Sequence, residues 1–495
     1  MPENAAIALY TAAEVRELDR LAIETQGLSA YQLMCRAGQA LLDCMSLQWP
    51  RVSPVCVLCG AGNNGGDGYV LARLLRQRGD EVLVRYLAEP AKLRGAAAQA
   101  ADEFFSAGGV AEAYAGELPA AGLLVDAVLG TGLDRPVEGV FRAAIEAMNA
   151  HPAAVLAVDI PSGLHADTGR VLGIAVEAQR SLTFIGRKRG LYTAAGVHHA
   201  GVPEFADLDV PASVHEQVTA GAQLIDVPLQ AWIAQPRRRD THKGQVGHVL
   251  VVGGGPGMAG AARMAAEAAA RCGAGLVSIA THPQHAATLN IGCPELMVHG
   301  IETAPDLQPL LERASVVVVG PGLGRTAWSR QLLETVLDSS RPLVVDGDAL
   351  HLLALDPLTR DNWVLTPHPG EAARLLGQTS GEIQADRFEA ARQLSSSFGG
   401  VVVLKGAGTL VARAGQPLRL CDRGNPGMAS GGMGDVLTGV LAALLGQGVP
   451  AGEAAEAAVY LHALAADLAA AAAGERGLLA TDLIPLVRAQ LNGHA

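Results

Sequence analysis

Residues 54–75 read PVCVLCGAGNNGGDGYVLARLL, and this stretch decides the fold of the first half of the chain. An apolar run ends at Cys59, polar and glycine positions follow, and the pattern predicts a helix that begins near Asp67–Tyr69. Glycines let a backbone approach a ligand, and a helix N-terminus offers unpaired N–H groups to an anion. The stretch therefore predicts a strand–turn–helix unit that binds a ligand.

The same order of apolar run, glycine turn and alanine-rich helix recurs along the chain. Apolar runs without alternation are typical of strands that are covered on both faces. Helical stretches between such strands imply right-handed crossovers and mostly parallel sheets, so the predicted fold class is α/β. The runs are PVCVLCG (54–60), EVLVRYL (81–87), GLLVDAVLG (122–130), AVLAVDIPSG (154–163), HVLVVGGG (248–255), SVVVVGPG (315–322), PLVVDGD (342–348) and VVVLKGAG (401–408).

Composition narrows the range of functions. The 495 residues carry 37 basic and 49 acidic side chains, a formal net charge of −12, and 49% of them are hydrophobic. The hydrophobic fraction excludes a disordered chain, and the acidic balance counts against binding to nucleic acid or to an anionic membrane. The N-terminus lacks a basic segment followed by an apolar one, and no uninterrupted apolar run has the length of a membrane span. We expect a cytoplasmic protein, and the alanine-rich helices favour a homo-oligomer.

The length predicts more than one domain. Non-periodic sequence with two prolines lies near residues 212–236, and glycine motifs of a different type follow it. We therefore predict a first domain over residues 1–215 and a second over residues 228–495, joined by a linker at 216–227.

Polar oxygens follow three apolar runs in the first half. Asn63, Asn64 and Asp67 follow the first run, Asp126 lies in VDAVLGTG, and Asp159 precedes Ser162 in VDIPSG. Ligands bind at the carboxyl ends of parallel strands, and hard oxygen donors suit a cation. A helix cap for each aspartate and an Asn-Gly turn at a strand–helix junction are the alternatives.

The motifs NNGGDG, DAVLGTG and DIPSG, in this order, resemble the NAD(P)H-hydrate epimerase family (the YjeF N-terminal domain) over residues 10–215. The resemblance implies a three-layer Rossmann-like domain that interconverts the R and S epimers of 6-hydroxylated NADH or NADPH. It implies that potassium is held by Asn64, Asp126 and Ser162, and it makes Asp159 the candidate acid/base. It also implies that the substrate contacts Asn63, Asn64, Gly65, Gly66, Asp67, Gly130, Thr131, Gly132, Leu133, Asp134, Arg135, Pro136 and Asp159.

The second half is dominated by GNPGMASGGMGDVLTGVLAALL at residues 424–445. Backbone N–H groups of the glycine turn, together with the dipole of the following helix, would stabilise charge on a transferring phosphoryl group. Asp435 lies beside them, where a carboxylate can take a proton from a hydroxyl nucleophile. A glycine loop with Asp435 as a helix cap is the alternative. The stretch is not GxxxxGK[ST], which disfavours a P-loop ATPase.

Further strand ends in the second half carry polar side chains. Lys405 and Thr409 in VVVLKGAGT suit nucleotide phosphates, and His368 in TPHPGE lies between two prolines that restrict the loop. VVDGDAL adds Asp346 and Asp348 as polar candidates at another strand end. A structural role is the alternative for the histidine.

Five motifs, HKG, GPGLG, TPHPGE, KGAGT and GNPGMASGGMGD, resemble the ADP/ATP-dependent NAD(P)H-hydrate dehydratase family of the ribokinase-like superfamily over residues 228–490. The resemblance implies Mg²⁺ with ADP or ATP, and Asp435 as the catalytic base. It implies that the nucleotide contacts Lys405, Gly406, Ala407, Gly408, Thr409 and Gly434. It implies that the hydrated dinucleotide contacts Ala261, Gly324, His368 and Asp435. The whole chain is similar to the bifunctional NAD(P)H-hydrate repair enzymes, whose substrates are the hydrates NADHX and NADPHX.

Two rival interpretations stay open from the sequence. One is a ribokinase-like kinase of a small molecule, which would release a stable phosphorylated product. The other treats the first half as a non-catalytic module that senses a ligand or binds a protein. The choice between ADP and ATP, and between NADHX and NADPHX, is not determined by the sequence.

Overall fold

The computed structural model describes residues 7–226 and 237–493. The chain divides into two compact units, Met1–Gln223 and Leu224–Ala495. Within the predicted linker at 216–227, Ala222–Leu224 form a short strand rather than free chain. Residues 1–6, 228–236 and 494–495 of the predicted domains and residue 227 of the linker lie outside the described residues.

The first unit alternates strands and helices. Its strands are β1 (Ala8–Tyr10), β2 (Val55–Cys59), β3 (Val82–Tyr86), β4 (Ala111–Ala113), β5 (Leu123–Ala127), β6 (Ala154–Val158), β7 (Arg180–Phe184), β8 (Arg187–Lys188), β9 (Val202–Ala206) and β10 (Ala222–Leu224), whose last residue lies in the second unit. Its helices are α1 (Ala12–Gln26), α2 (Ala30–Gln48), α3 (Asn63–Arg78), α4 (Gly95–Ser106), α5 (Gly139–Ala150), α6 (Gly196–His199) and α7 (Ala212–His215).

Seven strands of the first unit form a parallel sheet in the order β4-β3-β2-β5-β6-β7-β9. The chain leaves β2 towards one edge and returns through β5 towards the other, so the strand order reverses between β2 and β5. Loops that follow these two strands therefore diverge and open a crevice, which is where open α/β sheets bind ligands.

Helices cover both faces of this sheet, so the unit has three layers. One apolar core includes Leu41, Leu71 and Phe104 from α2, α3 and α4. A separate core on the opposite face includes Ile145 and Met148 of α5. Burial on both faces explains why the strands carry uninterrupted apolar runs.

The second unit has the same alternation. Its strands are β11 (His248–Val252), β12 (Leu276–Thr281), β13 (Met297–Gly300), β14 (Val316–Val319), β15 (Leu343–Val345), β16 (Trp363–Leu365), β17 (Val401–Leu404), β18 (Thr409–Arg413) and β19 (Leu418–Cys421). Its helices are α8 (Ala259–Arg271), α9 (Ala304–Arg313), α10 (Ala327–Leu337), α11 (Gly347–Leu353), α12 (Pro369–Leu376), α13 (Ser380–Ala385), α14 (Arg387–Phe398), α15 (Met433–Gly446), α16 (Ala451–Ala473) and α17 (Ala480–Leu491).

The sheet of the second unit runs β13-β12-β11-β14-β15-β16-β17-β18-β19. It is parallel from β13 to β17, and a hairpin adds β18 and β19 in antiparallel order. All eight apolar runs of the sequence contain strands of the two parallel sheets, which confirms the predicted α/β class. The loops after β15, β16 and β17 meet at one edge, close to the start of α15.

Helix α16 is long and apolar enough to cross a membrane by length and composition alone. In this unit it is a core helix, because alanines along one side of it, with Leu461, are buried against the common apolar core. A buried core helix passes the same test of length and composition as a membrane span.

Candidate active sites

The first unit contains a cavity of about 600 Å³ beside the crevice between β2 and β5. Its wall brings together most of the residues predicted for the first site: Asn63, Asn64, Asp67, Gly130, Thr131, Gly132, Leu133, Asp134, Arg135 and Asp159. Gly65, Gly66 and Pro136 are not part of the lining, and neither are Asp126 and Ser162.

Helix α3 begins at Asn63, so the predicted start near Asp67–Tyr69 is wrong. The two glycines hide the first turn from a periodicity argument, yet they are required by close packing. A Cβ at Gly65 would lie 2.2 Å from the carbonyl oxygen of Gly60. Asn63, Asn64 and Asp67 therefore lie on the first turns of the helix, where its free N–H groups favour anions.

Asp126 and Ser162 form a buried pair at the ends of β5 and β6. The Ser162 hydroxyl donates to Asp126 Oδ1 at 2.6 Å, and the Ser162 N–H donates to Oδ2 at 2.7 Å. The Leu129 N–H donates to Ser162 Oγ at 2.7 Å. Asn64 Nδ2 donates to the Leu129 carbonyl at 3.2 Å, which connects the third predicted residue to the same loop.

This cluster has the character of a site for a cation. Asp126 is fully buried, and burial raises the pKa of its carboxyl to about 6. Asn64 Oδ1 is buried without a hydrogen-bond partner in the described part of the chain. A buried acceptor that lacks a donor costs free energy unless another group satisfies it. A cation that prefers oxygen ligands would satisfy both groups.

Asp159 is held rigidly at the end of β6. Its backbone has a φ of 64°, in the left-handed region that few residues other than glycine adopt. Three donors converge on its Oδ1: Thr183 Oγ1 at 3.2 Å, the Phe184 N–H at 3.1 Å and the ammonium of Lys188. Since these donors all meet one oxygen, the carboxylate is oriented and its other oxygen is left to face a substrate.

Three carboxyl groups lie together with one buried ammonium in this cavity. Asp19, Asp67, Asp159 and Lys188 all line it, and Lys188 is buried. Burial raises the pKa of Asp67 well above its ordinary value, and the charges of Asp159 and Asp19 add to the increase. Burial likewise raises the pKa of Asp19 to about 6, while Lys188 opposes the shift. The cavity can therefore both accept and release protons near neutral pH.

In the second unit a cavity of about 360 Å³ lies at the start of α15. Asp346, His368, Pro369, Lys405, Gly406, Gly434 and Asp435 line it. Helix α15 begins at Met433, so Gly434 and Asp435 are its second and third residues, and their N–H groups have no acceptor within the helix. A Cβ at Gly434 would lie 3.2 Å from Lys405 Nζ, which shows how closely the ammonium approaches this turn.

Lys405 links the carboxylates of this cavity. Its Nζ lies 2.6 Å from Asp346 Oδ1 and 3.8 Å from Glu371 Oε2. Burial opposes ionisation of Asp346, but Lys405 and Thr366 hold the pKa of that carboxyl below its usual value. Burial and then the charge of Asp346 raise the pKa of Asp435 to about 7, against the influence of Lys405. The Asp435 carboxyl therefore titrates closer to neutral pH than an ordinary aspartate, as suits a general base.

His368 caps helix α12 and also lines the cavity. Its Nδ1 accepts from the N–H groups of Gly370 at 3.0 Å and Glu371 at 3.3 Å, and its backbone N–H donates to Glu371 Oε2 at 2.7 Å. Burial and the nearby Lys405 lower the pKa of the His368 imidazole, so the ring is neutral at pH 7. His368 therefore has the structural role of a helix cap and also lines the cavity in which it is predicted to contact the substrate.

The other residues predicted for the second site lie outside this cavity lining. Gly324 lies in the loop after β14, where its N–H donates to Asp348 Oδ2 at 2.9 Å. Ala261 lies on α8 near that loop, and its Cβ would be 3.1 Å from a Cβ added to Gly322. Ala407, Gly408 and Thr409 continue the turn from β17 into β18, and the Thr409 hydroxyl donates to the Gly406 carbonyl at 2.9 Å.

Sequence reasoning missed several charged groups. Asp19, Lys188 and Arg387 lie outside every glycine motif, and Glu371 lies within TPHPGE but carries no predicted role. Asp346 is a polar candidate because it follows an apolar run, and that position at a strand end is the available signal. No comparable signal marks Lys188, because only the fold brings it to Asp159.

The fold and the sites define a two-unit α/β enzyme, with a buried oxygen cluster in its first unit and a carboxylate beside a helix N-terminus in its second. The family described as YjeF-related protein N-terminus matches residues 30–190, and the family described as NAD(P)H-hydrate dehydratase matches residues 249–488. The chain belongs to the family of bifunctional NAD(P)H-hydrate repair enzymes.

Relatives of this name align along the whole chain. The enzyme of Coxiella burnetii is 47% identical over 98% of this chain and 99% of its own length. That of Escherichia coli is 44% identical over 98% of this chain and 94% of its own length. A solved structure of a hypothetical protein from Streptococcus mutans is 31% identical with a TM-score of 0.51, and covers 55% of this chain and 100% of its own.

Proposed function

We propose that this chain repairs hydrated NADH and NADPH, with epimerisation in residues 1–215 and nucleotide-dependent dehydration in residues 228–495. Full-length relatives bear the name of this activity. The observation that carries the proposal is the position of Asp435, a carboxyl with a pKa of about 7 on the first turn of α15 beside Lys405. Lys405 and the helix N-terminus supply positive charge to stabilise a phosphoryl group, and Asp435 supplies the base for a hydroxyl.

Dehydration requires the hydroxyl at carbon 6 of the hydrated ring to become a good leaving group. Asp435 takes the hydroxyl proton, and the oxygen attacks the terminal phosphorus of the nucleotide. With ADP, the bond from that phosphorus to the bridging oxygen breaks and AMP leaves. The carbon–oxygen bond then breaks with help from the ring-nitrogen lone pair and releases phosphate. Loss of a proton from carbon 5 restores NADH or NADPH.

The turns around the cavity would bind the nucleotide. The N–H groups at Met433–Asp435 and the ammonium of Lys405 would bind a polyphosphate at the start of α15, and Gly406 continues the adjoining wall. In residues 7–226 and 237–493 no cluster of three or more His, Cys, Asp or Glu side chains could hold a metal. Mg²⁺ would therefore be carried mainly by the phosphates, next to Asp346 and Asp435, and would neutralise their charge.

Epimerisation requires a bond at carbon 6 to break and re-form. When the hydroxyl proton is removed, the oxygen forms an aldehyde, the bond between carbon 6 and the ring nitrogen breaks, and the nitrogen takes a proton. Ring closure on the other face of the aldehyde reverses both proton transfers. We assign the removal to the second oxygen of Asp159, because its Oδ1 is held by three donors. Lys188, which contacts Asp159, is the adjacent proton donor.

Potassium fits the cluster at Asn64, Asp126 and Ser162. The Asn64 Oδ1, which lacks a partner in the described part of the chain, and the buried Asp126 carboxylate supply the oxygen ligands that such a cation needs. When bound, potassium would neutralise Asp126 and help to orient the substrate phosphates. Asn64 and Ser162, which hydrogen-bond to the Leu129 backbone, would then hold the adjoining Gly130–Pro136 loop in place.

A direct test incubates the full chain with purified epimers of hydrated NADH, with and without ADP or ATP. We expect nucleotide-dependent recovery of the reduced-nicotinamide absorbance from both epimers, because the first unit converts R into S. A stable phosphorylated product without recovered absorbance would support the kinase alternative instead. Recovery from the S epimer alone would contradict the assignment of the first unit.

A further inference from the structure

Arg387, the first residue of α14, is a fully buried cation directly beneath the turn at Lys405–Thr409. Its Nη2 lies 3.2 Å from the Leu404 carbonyl oxygen and 3.3 Å from those of Lys405 and Gly408. Its Nη1 donates to Gln384 Oε1 at 2.9 Å. One guanidinium therefore ties together both ends of the turn.

The turn is shaped to fit this guanidinium. Gly406 has a φ of 136°, and a Cβ there would lie 2.9 Å from Arg387 Nη1 and 3.1 Å from Nη2. A side chain at residue 406 would thus be strained by the backbone and would collide with the arginine. The glycine of the KGAGT motif and Arg387 therefore depend on each other, although most of α14 and the whole of β17 separate them in the sequence.

Arg387 donates to these carbonyl oxygens, so their dipoles point towards the buried guanidinium. A carbonyl dipole directed at a polyphosphate repels it, whereas a cation behind the turn attracts it, and low polarity strengthens both effects. Burial lowers the pKa of the Arg387 guanidinium to about 10, so the group still carries its charge at neutral pH.

We propose that Arg387 is a positioning residue for the nucleotide: it fixes the Lys405–Thr409 turn with its carbonyls directed inward and adds a buried positive charge behind the phosphates. The inference rests on the proposed binding of ADP or ATP by this turn. It predicts that nucleotide affinity, more than the chemical step, depends on a side chain that does not touch the nucleotide.

The test compares R387K and R387M in the full chain. The planar guanidinium of arginine donates to several carbonyl oxygens at once, which a lysine ammonium cannot do in the same geometry. Both variants therefore no longer hold the turn in place, while R387K keeps the positive charge. We expect R387M to raise the KM for ADP or ATP by about tenfold or more, with a smaller rise in R387K, because charged hydrogen bonds are lost. The kcat should change by less than about threefold, since the groups of the chemical step remain.

Arg392 offers a matched control on the same helix. Its side chain is 42% exposed and its Nη1 lies 3.9 Å from Glu389 Oε2, so R392K and R392M change the same residue type away from the turn. These variants should leave the nucleotide KM unchanged. A general loss of folding would lower the amount of active enzyme, and hence kcat, without raising KM, and R387K covers the case in which R387M does not fold.

The outcomes separate this inference from the proposed function. If the unaltered chain shows nucleotide-dependent dehydration but folded R387K and R387M have its nucleotide KM, the role of Arg387 is refuted. If the unaltered chain neither binds ADP or ATP nor uses them, the proposed function itself fails. A raised KM in the Arg387 variants, with normal KM in the Arg392 variants, supports the inference.

Discussion

Replacing Asp435 with asparagine should strongly slow dehydration and leave epimerisation intact. Asparagine has nearly the same shape and can occupy the third position of α15, so the helix start should persist, but its amide cannot accept the hydroxyl proton. General-base contributions are typically about a hundredfold to ten-thousandfold, and we expect kcat for dehydration to fall within that range.

The same variant should bind nucleotide at least as well as the unaltered chain. Burial lowers the pKa of Lys405, but the charges of Asp346, Glu371 and, to a smaller extent, Asp435 outweigh it and raise that pKa. Removal of the Asp435 charge lowers the repulsion of a polyphosphate, so the KM for ADP or ATP should stay the same or decrease. A fall in kcat without a rise in KM therefore separates loss of the base from loss of the binding site.

The pH dependence follows from the protonation of Asp435. The base acts when ionised and burial raises its pKa to about 7, so kcat/KM for dehydration should fall as the pH decreases below 7. The assay follows reduced-nicotinamide absorbance from the S epimer with saturating nucleotide at several pH values. A D435N variant that retains about a tenth or more of the unaltered rate, with the same pH profile, would exclude Asp435 as the base.

Three further perturbations test the two sites. Asp126→Ala should abolish the potassium dependence of epimerisation. In the unaltered chain, potassium should raise the melting temperature above pH 6 but not at pH 4, where the Asp126 carboxyl is protonated (pKa about 6). Equal epimerisation rates of the unaltered chain with and without potassium would contradict the site. Asp159→Asn should lower the rate of epimerisation at least about a hundredfold. Lys188→Met should also lower it, because the positive charge that holds down the pKa values of Asp19 and Asp67 is lost. Unchanged rates in a chromatographic epimer assay would exclude these roles. Gly406→Ala should raise the nucleotide KM, since its Cβ would meet Arg387; an unaltered KM would show that the turn tolerates another shape.

The apolar runs predicted the fold well because burial on both faces of a parallel sheet leaves an unmistakable composition. All eight runs contain strands, and glycine turns that follow several of them open into the two cavities. The start of α3 could not be predicted in the same way. Its first turn carries Gly65, which packs against the Gly60 backbone, and Gly66, which packs against Met34 and Ala97, and such contacts leave no periodic pattern.

The sequence also does not predict side chains that reach a site from distant parts of the chain. Lys188 follows β7 and meets Asp159 from the end of β6, while Arg387 lies before β17 and beneath the turn that follows it. Neither has a spacing that a motif could reveal. Assembly into a homo-oligomer and a cytoplasmic location stay predictions from composition.

The central claim is that the hydroxyl of the substrate itself attacks the nucleotide with Asp435 as base. It is tested most directly by labelling the oxygen at carbon 6 of the S epimer with a heavy isotope and analysing the phosphate released during dehydration. We expect each phosphate to carry the labelled oxygen, because the carbon–oxygen bond is the one that breaks. Unlabelled phosphate, with the label found in water, would contradict it.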